Sequence, residues 1–204
     1  FRSALDGTGT SAVKRDEDAI VRSVQAFDEY NDRLIYHWAF DIASLYLGVD
    51  KPSNPTDTSL EFNEQTIPLQ NGRMFVNFSG PAETYTTYSA ANVHDGITLE
   101  QDPDAFRGKI VLIGATTLTL QDIYPTPFSA QKPTAGVEIV ASTIDTILNG
   151  AYLRETPPWV TLLITIVAAI IAAGISSIKR PSTTVINMGA VMVGYLIVGL
   201  VIFI

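Results

Sequence analysis

GKIVLIGATTLTLQDIYPTPFSAQKPTAGVEIVASTIDTILNG, residues 108–150, carries the strongest structural signals in the chain. Its opening run, Gly108 to Gly114, is continuously apolar and bounded by glycines, the pattern of a strand buried on both faces. Its closing stretch, Thr134 to Gly150, sets Val137, Val140, Ile144, Ile147 and Leu148 along one side of an amphipathic helix that ends at Asn149-Gly150. A buried strand, a crossover and an amphipathic helix predict a layered α/β domain.

Upstream of this stretch the patterns are shorter. Residues 1–15 lack hydrophobic periodicity and read as a loop, and Ala19 to Phe27 suits a strand. DRLIYHWAFDIASLYLG predicts a helix opened by Asp32 and closed by Gly48, with Leu34, Ile35, Trp38, Ile42, Leu45 and Tyr46 as its apolar stripe. The Pro- and Ser-rich stretch 51–59 is a loop. Strands are expected near Leu60–Asn63 and Thr66–Leu69, then an Asn71-Gly72 turn leading into a strand over Arg73–Ser79. Ser89 is placed to cap a short helix running through His94. No internal repeat is present.

Downstream the composition changes abruptly. Residues 158–204 contain two charged side chains, Lys179 and Arg180, so the first 157 residues carry 11 basic and 21 acidic groups and a net charge of −10. Two uncharged stretches, about 159–178 and 182–204, flank that basic pair and show no polar face. About 20 residues at 1.5 Å each cover the roughly 30 Å hydrocarbon core of a bilayer, so two transmembrane helices are predicted. Trp159 stands where an interfacial aromatic anchors a span, and Pro157-Pro158 gives a rigid entry. Lys179 and Arg180 place the connecting turn in the cytoplasm by the positive-inside tendency, with Arg154 as a weaker opposing vote. The acidic portion then lies outside, and a cytoplasmic output domain needs a third span after Ile204. Ala169, Ala173 and Ser177 recur every four residues, as do Ala190 and Gly194, a spacing that lets helices pack closely in lipid. The chain starts without Met and stops at the end of a membrane helix, so a longer protein is expected on both sides.

Composition removes several functions. An acidic ectodomain lacks the clustered Lys and Arg that replace phosphate counterions, so no nucleic-acid partner is expected. With no cysteine there is no disulfide framework, thiolate zinc site or Cys nucleophile. The two histidines, His37 and His94, lie in no metal-ligand spacing, and no nucleophile elbow, zinc-protease or phosphate-loop motif occurs. No cofactor and no catalytic residue is expected. Acidic clusters at 16–18 and 28–32 read as solvated faces. Asn77-Phe78-Ser79 fits the glycosylation pattern but falls inside an expected strand.

The densest candidate is 114–130, directly after the expected buried strand, where open α/β sheets bind ligands. Gly114 permits close backbone approach, Thr116 and Thr117 offer hydroxyls, and Asp122 and Tyr124 can orient a ligand. The competing reading is a loop that stiffens itself through Pro125 and Pro127, with Asp122 capping a turn.

GKIVLIGATT, DIYPTPF and GVEIVASTIDTILNG, followed by Pro157-Pro158-Trp159, together resemble the CHASE domain of the second type. DEDAIVRSV (16–24), ASLYLG (43–48), FVNFSGP (75–81) and YSAANVHDG (88–96) resemble its earlier blocks in the right order. Ala19 departs from the glycine expected after the acidic pair, and the family's amino-terminal portion is missing. The resemblance implies an extracytoplasmic α/β sensor domain, partial at its N-terminus, over 1–157 and a multi-pass bacterial membrane receptor. Its partners would be an undefined extracellular or periplasmic ligand and a second copy of itself. Its output would be an adenylate or guanylate cyclase, a histidine kinase or a Ser/Thr kinase. Two alternatives are a membrane module that chiefly dimerises and a tethered hydrolase using Asp122 and His94.

Overall fold

The computed structural model describes residues 9–11, 13–31, 33–129, 132–176, 189 and 192–194. Two units separate at the Arg154–Glu155 bond. In the first, Ser23–Gln25 (β1), Phe27–Tyr30 (β2) and Arg33–Tyr36 (β3) precede helix α1, Trp38–Leu47. Ser59–Phe62 (β4), Gln65–Pro68 (β5) and Arg73–Phe75 (β6) follow, then the short helices Ala90–His94 (α2) and Ile97–Gln101 (α3). Ile123–Tyr124 (β7), Thr134–Ala135 (β8) and the long helix Gly136–Asn149 (α4) complete it. The second unit contains α5, Pro158–Ser176.

The first unit is mixed α/β, and among the described residues its strands form four two-stranded antiparallel ribbons: β1–β6, β2–β3, β4–β5 and β7–β8. Two tight turns are present, of which the sequence predicts Asn71-Gly72. β4 and β5 join through Asn63 and Glu64, both at positive φ, and Asn71-Gly72 makes a second such turn closed by a Gln70–Arg73 bridge. Beyond that bridge, however, β6 leaves β5 and pairs with β1, setting Met74 opposite Val24.

Three local expectations change. Arg33–Tyr36 is a strand rather than the first turn of a helix: Asn31 turns the chain at φ 51, and β3 folds back on β2. α1 therefore begins after His37, whose Nδ1 accepts the Ala39 amide at 3.3 Å, and ends on Gly48 in the left-handed conformation. Its buried face is Ala39, Phe40 and Ala43, while Leu45 and Tyr46 from the expected stripe are exposed. Ala39 and Ala43 are small enough to bring α1 close to α4, against which it packs. Within α1, Asp41 is buried and held by the Lys51 ammonium at 2.8 Å.

The run Gly108 to Gly114 is not a strand and is not buried on both faces. Ile110 and Leu112 pack on the core, but Val111 is 52% and Ile113 89% exposed. A strand needs a neighbour for its backbone groups as well as cover for its side chains, and among the described residues none is hydrogen-bonded to Ile110–Gly114.

The core is built by Phe40, Leu60, Ile67, Met74 and Ile139, all wholly buried. Phe40 meets the edge of Phe62 with ring centres 5.7 Å apart. Each such side chain contributes roughly 1.5–3 kcal/mol of burial. α4 follows its expected periodicity, with Ile139, Val140, Ile144 and Ile147 buried and Gly150 closing it at φ 62. Its buried threonines satisfy themselves within the helix, Thr143 and Thr146 each donating to the carbonyl four residues back at 2.7 Å. Thr134 and Ala135, expected as its first turn, belong to β8 instead.

α5 contains no charged residue, and Trp159, Leu162, Ile166 and Ile170 are exposed along it. Among the described residues, no helix is long and apolar enough to cross a membrane. The α5 side chains are described from 158 to 174, a rise of about 25 Å, just under the bilayer core. The basic turn at Lys179 and Arg180, and most of the expected second span, lie outside the described residues.

Candidate functional site

Residues 114–129 belong to a braced hairpin at the amino end of α4. A single 3₁₀ turn, Leu118–Leu120, leads to Gln121 at φ 57, which swings the chain into β7. β7 pairs with β8, setting Ile123 opposite Ala135 and Tyr124 opposite Thr134. The loop between them is tied internally. Thr126 accepts or donates to Ser129 at 3.0 Å and to Thr134 at 3.1 Å through its hydroxyl, and its amide donates to the Ser129 hydroxyl at 2.7 Å. The Pro125 carbonyl accepts the Val21 amide at 2.8 Å, fastening the hairpin to the approach to β1.

Two expected ligand residues converge on the first turn of α4. The Asp122 carboxylate fills the space where a Gly136 side chain would begin, and the Asp122 carbonyl accepts the Gly136 amide at 2.9 Å. Gly114 lies against Val137 so closely that a β-carbon would stand 2.5 Å from that side chain. Asp122 thus places its negative charge at the positive end of the α4 dipole, and this helix end is already neutralised from within the chain. Tyr124 lies beside Asp122, and the Arg15 guanidinium sits over its ring at 5.5 Å. Burial first, then the Asp122 charge, pushes its hydroxyl pKa upward. Thr116 and Thr117 are exposed, and among the described residues no hydrogen bond joins them to Asp122 or Tyr124. The hairpin's own bonds resemble the self-stiffening loop more than an open pocket.

The described residues form a cleft elsewhere, about 610 Å³, between the carboxyl end of α1 and the β4–β5 hairpin. Gly48, Lys51, Glu61, Glu64 and Thr66 line it. Its polar groups are largely engaged, Lys51 with Asp41 and Glu61 with the Asn54 amide at 2.7 Å. Residues of the expected loop 51–59 form one side of it, and the unexpected Asn63-Glu64 turn raises the other.

The histidines separate in character. His94 is exposed and bonds its neighbour Asp95 at 3.0 Å, and among the described residues no hydrogen bond links it to Asp122. His37 is wholly buried, and that burial pushes its pKa down to about 4. Among the described residues no His, Asp and Glu grouping could hold a metal ion.

The acidic block at 16–18 is more than a solvated face. Asp16 accepts Arg22 at 3.2 Å and Arg73 at 2.9 Å, and Arg22 also grips Asp18 through two bonds of 3.0 and 2.7 Å. The Arg22 hydrogen bonds draw the exposed Asp18 carboxyl down to about 2. This cluster ties the start of the chain to β6, across more than fifty residues that sequence spacing alone does not bridge. A second polar row, Ser79 to Asp145 at 3.0 Å and Tyr85 to Ser142 at 3.3 Å, runs along α4. Inside the acidic block, Ala19 adopts φ 66, a conformation in which glycine is unstrained.

That left-handed position stands where the family resemblance expects glycine, and the CHASE2 domain profile matches residues 2–175. The chain belongs to the CHASE2 family. CHASE2 domains are extracellular, sensory and non-catalytic modules of membrane receptors. The CHASE2 match covers the whole described first unit and ends one residue before the end of α5. No curated protein and no solved structure matches the chain.

Proposed function

We propose that this CHASE2 chain is the input module of a membrane signalling receptor, acting as a homodimer. Residues 1–157 sense a stimulus outside the cell, and spans over 159–178 and 182–204 carry the change inward. Lys179 and Arg180 hold the connecting turn on the cytoplasmic side. A cyclase, histidine kinase or Ser/Thr kinase reads the result. The observation that carries this reading is the grip on α4: Asp122 and Gly114 contact its first turn, and its last turn leads through eight residues to α5. A ligand that meets Gly114, Thr116, Thr117, Asp122 and Tyr124 shifts α4 only by binding one of its two arrangements more tightly. Ala169 and Ala173, one turn apart on α5, are exposed, and with Ser177, Ala190 and Gly194 they give the spans a close-packing face.

Because the chain has no cysteine, topology can be read with single thiols. With a membrane-impermeant maleimide, Asn77→Cys is expected to label in intact cells and Ser182→Cys only after permeabilisation. The reverse pattern, or equal labelling of both, contradicts the arrangement. A flexible Gly-Ser insertion at Arg154–Thr156 is expected to fix receptor output at one level without changing the ectodomain melting temperature. Output that still follows the stimulus rules out α4 as the lever.

A further inference from the structure

We propose that residues 79–85 are a releasable strap on α4, which restrains that helix along its solvent side and lets go before the core does. This deepens the receptor reading, by naming what holds α4, and rests on α4 being its lever.

Three observations carry it. First, the chain leaves the core for a long excursion: among the described residues, no member of the hydrophobic core lies between Phe78 and Ile110. Helix α2 buries no residue, and Thr98 and Ala105 are buried outside that core. Second, among the described residues, four hydrogen bonds tie 79–109 to the rest of the chain, and all end on α4 or just before it. The Ser79 hydroxyl donates to the Asp145 carboxylate at 3.0 Å, and the Tyr85 hydroxyl donates to that of Ser142 at 3.3 Å. The Glu83 amide donates to the Glu138 carboxylate at 2.8 Å, and the Lys132 ammonium donates to the Glu83 carboxylate at 2.6 Å. Glu138, Ser142 and Asp145 are four and three residues apart, so the strap follows one face of the helix. Third, Glu83 is held at φ 70, a left-handed conformation that costs a residue with a β-carbon. Its two bonds maintain that conformation, and release relieves it.

A segment with few buried apolar contacts and exposed polar bonds opens locally at far less cost than the whole domain unfolds. On opening, each of these bonds is exchanged for one to water, so little is lost. The other side of α4 has no such freedom, because Ile139, Val140, Ile144 and Ile147 are buried in the core. α4 therefore lies between a fixed face and a detachable one. The strap grips it from Glu138 in the first turn to Asp145, about 10 Å along the axis. Lys132 belongs to the loop between β7 and β8, so the strap also reaches the hairpin that carries Asp122 and Tyr124.

The test uses the full chain in detergent micelles and a glutamate-specific protease, with the fragments read by mass spectrometry. A protease needs a length of free, extended chain, so cleavage after Glu83 reports release of the strap. Cleavage after Glu61, inside the paired β4, reports unfolding of the core. The Glu83 cut is expected to be several-fold faster than the Glu61 cut. Ser142→Ala combined with Asp145→Ala should speed the Glu83 cut by a further several-fold, with the Glu61 cut and the melting temperature unchanged. Equal rates at the two sites, no rise at Glu83 in the double variant, or a matching rise at both sites overturns the strap. In the receptor the same double variant should shift the unstimulated output. Release without that shift overturns the strap as a restraint on signalling. The receptor reading itself fails on the thiol-labelling pattern, which these substitutions do not touch.

Discussion

The β4–β5 hairpin and the run Gly108 to Gly114 invert the usual link between hydrophobicity and burial. β4 and β5 contain Glu61, Gln65 and Thr66, yet they are fully paired and place Leu60, Phe62 and Ile67 in the core. The other run has no polar residue between Lys109 and Gly114, yet it has no ladder and exposes Ile113 almost completely. A two-residue turn brings β4 its partner at almost no loop-closure cost. The 109–115 run has no such turn and depends on a partner distant in sequence or on another molecule. Apolar composition therefore reports what a segment demands, and local turn chemistry decides whether the demand is met within reach.

Substitution can break that contrast. Leu60→Ala in β4 removes a wholly buried side chain and is expected to cost about 2–5 kcal/mol in denaturant unfolding. Ile113→Ala, a similar truncation, is expected to stay within about 0.5 kcal/mol in the monomer. Equal costs would mean that Ile113 is buried in solution.

His37, at the entry to α1, extends the comparison to pH. Its folded pKa lies below its ordinary value near 6.5, so the unfolded chain binds the proton more readily. Stability contributed by the neutral imidazole is complete above pH 6.5 and is lost as pH falls toward about 4. The loss amounts to about 3 kcal/mol over that window. His37→Asn keeps a capping side chain and should flatten this part of the profile. An unchanged slope would place the acid sensitivity on other groups.

The hairpin at 114–135 and α4 are expected to be coupled directly. Gly136→Ala drives a β-carbon into the Asp122 carboxylate and should cost about 1–3 kcal/mol. Asp122→Ala in the same chain should recover part of that loss, and strict additivity would show that the two do not touch. The smallest effect is expected at the acidic block. Ala19→Gly relieves a left-handed alanine and should raise stability by about 1 kcal/mol by thermal unfolding. Destabilisation would mean that the turn relaxes in solution.

The elements that could be read from sequence are those whose causes are local. α4 follows from a 3.6-residue period and Gly150, the end of α1 from Gly48, and the turn after β5 from Asn71-Gly72. What was not legible depends on distant partners. β3 looks helical until β2 folds beside it, and β6 leaves its neighbour in sequence for β1. The stripe assigned to α1 was turned the wrong way because Ala39 and Ala43, weak as hydrophobic signals, are what close approach to α4 requires. At the candidate site, Asp122 and Tyr124 were found, but the tie from Asp122 to Gly136 crosses a β-hairpin and left no mark in residue spacing.

Amide hydrogen exchange on the full chain in micelles tests the unmet strand most directly. At low concentration the amides of Leu60–Phe62 and Ile67 should exchange slowly and those of Ile110–Gly114 quickly. Slow exchange at 110–114 in the dilute monomer would contradict it, because the run would then already have a partner within its own chain.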